Sequence, residues 1–227
     1  MAQSGNKESS QQNRNDFRIK VCGMTLPEQV HALNDMQVDF AGFIFYPPSP
    51  RFVKDRLLPA ELKSIRGNIK KVGVFVDTPY DEVMRTVEDY GLDMVQLHGN
   101  ETPLFCEKVA KHTTVIKAFR PVADGKLKEL LRSFNDVADM FLFDTPGDAY
   151  GGTGQKFDWS VLQEASIGKK FFLSGGIKPG DETAIREFAA TPGAQKMFAI
   201  DINSRFETNP GIKDMQRIKD FITSCRL

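Results

Sequence analysis

The sequence predicts a single-domain (β/α)8 TIM barrel. Three observations carry that reading. Eight short β-branched and aromatic runs lie between residues 19 and 201, and most are near-continuously apolar, as parallel strands buried on both faces are. A helical pattern follows each run. Successive strand ends lie roughly 21 to 31 residues apart, close to the repeat of a compact barrel. The runner-up is an open doubly wound sheet. Eight units at this length argue against it, and the first strand has no GxGxxG after it.

The expected strands are 19–22, 40–45, 72–76, 94–97, 115–119, 140–144, 170–174 and 197–201. The expected helices are 27–36, 59–66, 80–90, 102–111, 126–134, 159–165, 179–189 and 212–224. Several begin with Pro or Asp and end near Gly or a basic residue. Thr25 is the candidate cap of the first. Residues 1–15 are almost wholly polar, with neither a secretory apolar core nor Arg-rich amphipathic character. They read as a disordered tail ahead of one catalytic domain over 16–227.

Composition narrows the function classes. A hydrophobic content of 41% suits a sizeable core. Lysine plus arginine equals aspartate plus glutamate at 30 each, so neither nucleic acid nor an anionic membrane is expected as a partner. No apolar run is long enough to span a bilayer. The 3 cysteines are far apart and form no CxxC, which argues against zinc and disulfides and fits a reduced cytoplasm. Cys106 and Cys225 read as small buried helix residues.

Barrels of this kind carry their chemistry at the C-terminal ends of the strands. Cys22 ends strand one, where a thiolate can serve as a base if a cation lowers its pKa. Lys20 shares its strand parity; a small buried cysteine is the alternative. Asp144 ends strand six after an apolar run. Desolvation there is expected to raise its pKa and keep a proton for general-acid work; a turn-forming aspartate before Thr-Pro is the alternative. Arg51 follows strand two in a loop stiffened by three prolines, and its fork suits a carboxylate. Gln96 and His98 at the end of strand four are candidate ligand contacts, as is Asp201 at the end of strand eight. One histidine at the rim cannot build a multi-histidine metal site. Gly175 and Gly176 after strand seven let backbone N–H groups approach an anion. Asn203 and Ser204 after strand eight open a possible short extra helix. Together these are the expected phosphate seat. The glycine-rich loop 147–155 is a candidate lid.

Taken together, these segments resemble the phosphoribosylanthranilate isomerase family. The matching stretches are Lys20-Val21-Cys22-Gly23, Gly42-Phe43-Ile44-Phe45-Tyr46 with Ser49-Pro50-Arg51, Val72-Gly73-Val74-Phe75-Val76, Val95-Gln96-Leu97-His98-Gly99, Phe143-Asp144-Thr145 with Gly151-Gly152-Thr153-Gly154, Leu173-Ser174-Gly175-Gly176 and Ala199-Ile200-Asp201. The resemblance implies an Amadori isomerase of tryptophan biosynthesis that needs no metal and no cofactor. It implies Asp144 as general acid, Cys22 as general base and Arg51 as the holder of the anthranilate carboxylate. The expected partner is one small-molecule substrate, phosphoribosylanthranilate, with the chain a monomer or a homodimer. One departure stands out. The family commonly has Ser-Ser-Gly two residues after the position of Asp201, where this chain has Asn203-Ser204-Arg205. A metal-dependent sugar-phosphate epimerase and a non-catalytic phosphate-binding barrel are the competing readings.

Overall fold

The structure is a computed structural model and describes residues 17–122, 125–145 and 158–226. Eight parallel strands close into a barrel in sequence order: β1 Arg18–Val21, β2 Phe40–Ile44, β3 Lys70–Phe75, β4 Met94–Leu97, β5 Thr114–Phe119, β6 Met140–Phe143, β7 Phe171–Leu173 and β8 Met197–Ile202. The seam between the first and last strands pairs Lys20 with Asp201. Helices α1 Pro27–Asp35, α2 Pro59–Ser64, α3 Tyr80–Tyr90, α4 Pro103–Ala110, α5 Leu127–Phe134, α6 Glu182–Ala189 and α7 Met215–Arg226 lie along the chain between and after the strands.

Alternation along each strand sorts the side chains into two compartments. Outward residues such as Ile19, Phe43, Val95, Phe141, Phe171 and Ile200 meet the helices in the main core. Inward residues fill the barrel. Phe40, Val72, Met94, Ile116, Leu142 and Phe172 pack its lower part. Cys22, Ile44 and Val74 form a smaller cluster with Tyr46 nearer the mouth. The same inward parity carries Lys20 and Cys22 up β1, Gln96 and His98 up β4, Asp144 beyond β6, Ser174 beyond β7 and Asp201 on β8.

Three local expectations are corrected. Thr25 caps nothing: Leu26 is the N-cap of α1, and the Thr25 hydroxyl donates to the Gly211 carbonyl at 2.6 Å. The sixth unit carries a short 3-10 helix, Trp159–Leu162, instead of an α-helix. Its buried residues Trp159 and Leu162 are three positions apart, the spacing that a 3-10 turn lines up. The last helical segment starts later than expected, at Met215. Ahead of it, a 3-10 turn Ser204–Phe206 and a hairpin, β9 Glu207–Asn209 with β10 Ile212–Lys213, follow β8. The expected tail over 1–15 and the loop over 147–155 lie outside the described residues.

Candidate active site

One cavity opens at the C-terminal mouth of the barrel. Its lining includes Cys22, Gln96, His98, Asp144, Gly175, Gly176, Asp201, Asn203 and Ser204. Nine of the ten residues singled out in the sequence therefore meet in one place; Arg51 is the exception.

Lys20 lies fully buried beneath Cys22. Its ammonium donates to both Asp201 oxygens at 3.0 Å. Burial works against this charge, but Asp201 and Cys22 outweigh it and hold the Lys20 pKa above its usual value. Burial pushes the Cys22 thiol up. Lys20 and Lys213 pull it down and Asp201 adds to the rise, so the net direction is upward. Without a ligand, Cys22 is a protonated thiol at neutral pH.

Asp144 differs from its expected state. Burial does act to raise its pKa, but the His98 ring, the Thr145 amide and Arg120 together reverse the sign. The carboxylate is held below the ordinary aspartate range. His98 Nε2 stands 3.3 Å from Asp144 Oδ2, within ion-pair range but without hydrogen-bond alignment. The Gln96 amide nitrogen lies 2.8 Å from His98 Nδ1. With that nitrogen as donor, the ring proton sits on Nε2, facing Asp144. Gln96 Oε1 is buried without a partner in the cavity wall, an acceptor left for a ligand.

Ser174 connects the two carboxylates. Its hydroxyl lies 3.4 Å from Asp144 Oδ1 and 3.4 Å from Asp201 Oδ2. The sequence reading did not single it out as a site residue. Its inward parity one step beyond β7 was the available signal. Next to it, Gly175 and Gly176 take left-handed φ values of 91° and 66°, which suit glycine, and both line the cavity. Arg205 is exposed and outside the cavity lining.

Arg51 does not project freely into the cavity. Its Nε and Nη2 are bound by Glu207, at 2.9 and 2.7 Å. The proline-stiffened loop delivers the guanidinium to a carboxylate of the protein's own, and the side chain is only 8% exposed. Glu207 and Lys213, also at the mouth, were missed in the sequence because neither lies on a barrel strand.

Comparison with known proteins gives this geometry a context. The family model described as N-(5'-phosphoribosyl)anthranilate (PRA) isomerase matches residues 19–224. The chain belongs to the phosphoribosylanthranilate isomerase family. The N-(5'-phosphoribosyl)anthranilate isomerase of Parabacteroides distasonis is 41% identical over 208 residues, covering 90% of this chain and 91% of that protein. That of Phocaeicola vulgatus is 37% identical over 211 residues, covering 92% and 97%. Among solved structures, the isomerase of Thermotoga maritima superposes with a TM-score of 0.78 at 30% identity, covering 92% of this chain and 98% of that one. Another family structure holds reduced 1-(o-carboxyphenylamino)-1-deoxyribulose 5-phosphate. It superposes with a TM-score of 0.73 at 28% identity, covering 92% of this chain and 98% of that one. The expected family and barrel fold therefore stand.

Proposed function

We propose that this chain carries out its family's reaction with Asp144 as general acid and Cys22 as general base. N-(5'-phosphoribosyl)anthranilate becomes 1-(2-carboxyphenylamino)-1-deoxyribulose 5-phosphate, the third step of the tryptophan branch from chorismate. The observation that carries the assignment is that the Cys22 thiol, just beyond β1, and the Asp144 carboxyl, just beyond β6, line one cavity together with Gly175 and Gly176.

The steps follow from the groups present. Asp144 gives a proton to the ribose ring oxygen. The C1–O bond breaks, and the aniline nitrogen's lone pair forms an iminium. That electron sink acidifies the hydrogen on C2, and the Cys22 thiolate removes it. The resulting enolamine takes a proton at C1 and releases one from the C2 hydroxyl, giving the ketone. No net proton is consumed.

The ligand-free charge pattern is the reverse of the one this sequence needs. The proton sits on Cys22, and Asp144 is ionised. Binding supplies the correction at Asp144. An anionic substrate that displaces water from the cavity disfavours the nearby carboxylate and raises its proton affinity. At Cys22 the net balance still favours the thiol; Lys20 and Lys213 stabilise the thiolate once its proton has left, and that ionisation is part of the barrier to the C2 step. Each positioned acid or base contributes typically about 10²- to 10⁴-fold. Anchoring the phosphate at Gly175, Gly176, Asn203 and Ser204 adds orientation. Gln96, His98 and Asp201 bind the sugar, and Arg51 takes the ring carboxylate.

We take the working form to be a cytoplasmic monomer or homodimer; one solved relative consists of generated monomers of the dimeric Thermotoga maritima enzyme. No helix among the described residues is long and apolar enough to cross a membrane.

Loss of anthranilate fluorescence from freshly made substrate tests the assignment. Asp144→Asn is expected to abolish turnover while reduced product analogue still binds. Cys22→Ser is expected to keep little activity, because a hydroxyl is a much weaker acid than a thiol. Turnover near the parent rate in either variant overturns the assignment.

A further inference from the structure

The β9–β10 hairpin turns two charges inward. Glu207 and Lys213 have side chains 4% and 0% exposed. Glu207 accepts from Arg51 Nε at 2.9 Å, from Arg51 Nη2 at 2.7 Å, from Lys213 Nζ at 2.7 Å and from the Gly211 amide at 3.1 Å. Lys213 Nζ also donates to the Asn203 side-chain oxygen at 2.8 Å. Backbone bonds hold Lys213 itself in place: its amide donates to Gln29 Oε1 at 2.9 Å, and its carbonyl accepts from Gln29 Nε2 at 2.8 Å.

The geometry of the guanidinium matters. Nε and Nη2 form one of its two hydrogen-bonding edges, and Glu207 fills that edge alone. Nη1 makes no hydrogen bond among the described residues, so no described protein carboxylate occupies the other edge, Nη1 with Nη2. The stem is fixed as well. It crosses Gly23, beside Cys22, so closely that a Cβ on that glycine would lie 2.6 Å from Arg51 Cδ. The backbone there has φ +76°.

Charge arithmetic points the same way. Arg51, Lys213 and Glu207 sum to a formal +1 (two cations, one anion). A bound carboxylate brings the group to zero, which suits a buried site. Glu207 lies between two cations that repel each other, and the Lys213 charge is disfavoured in part by Arg51. Without Glu207, the guanidinium is pushed off its line and loses its fixed edge.

We infer that Glu207 and Lys213 are positioning residues for the substrate's carboxylate. Glu207 clamps one edge of Arg51 so that the other faces the ligand. Lys213 balances the second carboxylate and ties the clamp to Asn203 in the phosphate seat. This inference rests on the assignment of Arg51 to the ring carboxylate.

The test uses two ligands and calorimetry. One is reduced 1-(2-carboxyphenylamino)-1-deoxyribulose 5-phosphate; the other is the same compound without the ring carboxylate. The readout is the ratio of their affinities, which a general loss of stability does not change. In Glu207→Gln the preference for the carboxylated ligand is expected to fall about tenfold or more, with the carboxylate-free ligand binding as before. Glu207→Asp keeps the charge, and with it the folded network, but draws the carboxylate back by one methylene. It is expected to lower the same ratio. A ratio that stays level, rises, or falls by less in both variants overturns the inference. Arg51→Met is the control. If it leaves the ratio unchanged, the carboxylate assignment fails. If it lowers the ratio and the Glu207 variants do not, the clamp alone fails.

Discussion

Cys22 shows how little of a residue's chemistry its identity fixes. Burial raises its pKa, two lysines lower it, and Asp201 raises it again, with a net upward shift from 9.0. A group with a raised pKa stays protonated until the pH passes that higher value. Alkylation of Cys22 by iodoacetamide, followed site by site with mass spectrometry, is therefore expected to reach half its limiting rate above pH 9.0. Lys20→Met removes the larger cationic pull and is expected to move that midpoint higher still. A midpoint below 9.0 in the parent chain contradicts the balance described for this site. The sequence made Cys22 and Asp144 visible because each ends an apolar run. It did not reveal the protonation state of either one. Burial by the surrounding strands decides it for Cys22, and His98, beyond another strand, turns the balance for Asp144.

At the scale of elements, Lys117 is the most telling side chain. It sits on β5 with outward parity, facing the helices, where an apolar residue is the norm. Its ammonium donates to Glu101 at 2.9 Å and to the carbonyls of Gly99 and Leu97 at 2.7 and 3.2 Å. Glu101 in turn accepts from the amides of Asp77 and Gly99. The pair thus ties β5 to the turn that carries His98 and to the turn after β3. Both side chains are nearly inaccessible, at 4% and 2%. Lys117→Ala leaves a buried carboxylate without its cation, and the expected loss is about 3–5 kcal/mol in urea unfolding. A loss below about 1 kcal/mol would show an exposed pair of ordinary weakness. Element boundaries were legible where periodicity was strong: β4 and α3 match the sequence expectation residue for residue. The β9–β10 hairpin was not legible. Its strands are only 3 and 2 residues long, and its apolar content is too low to show alternation. It is fixed by contacts with Arg51, Gln29 and Thr25, all distant in sequence.

The whole molecule closes around a phenylalanine-rich shell between barrel and helices. Two thiols are sealed into its outer layer. Burial pushes Cys106 up to about 11 and Cys225 up to about 12 from an ordinary value of 9.0. The folded chain keeps both protonated over a pH range in which the unfolded chain releases their protons. Their stabilising contribution is therefore complete below pH 9 and is lost as the pH rises through the folded values. Urea midpoints are expected to be flat from neutral pH up to about pH 9 and to decline above it. Cys106→Ala and Cys225→Ala are expected to make that decline shallower; an unchanged slope in both variants contradicts the linkage. The architecture as a whole was the most legible property. Strand parity alone sorts the mouth residues Cys22, Gln96, Asp144 and Asp201 inward. Arg51 escaped that logic because it belongs to a loop, where no periodicity dictates direction.

The join between the first and last strands has a consequence for biosynthesis of the active molecule. Lys20 and Asp201 are 181 positions apart in the chain, yet they share a salt bridge under the Cys22 thiol. A nascent chain that has produced only seven strands lacks Asp201, Asn203, Glu207 and Lys213 altogether. The barrel mouth is thus completed last, once translation has run through the eighth strand and the hairpin after it.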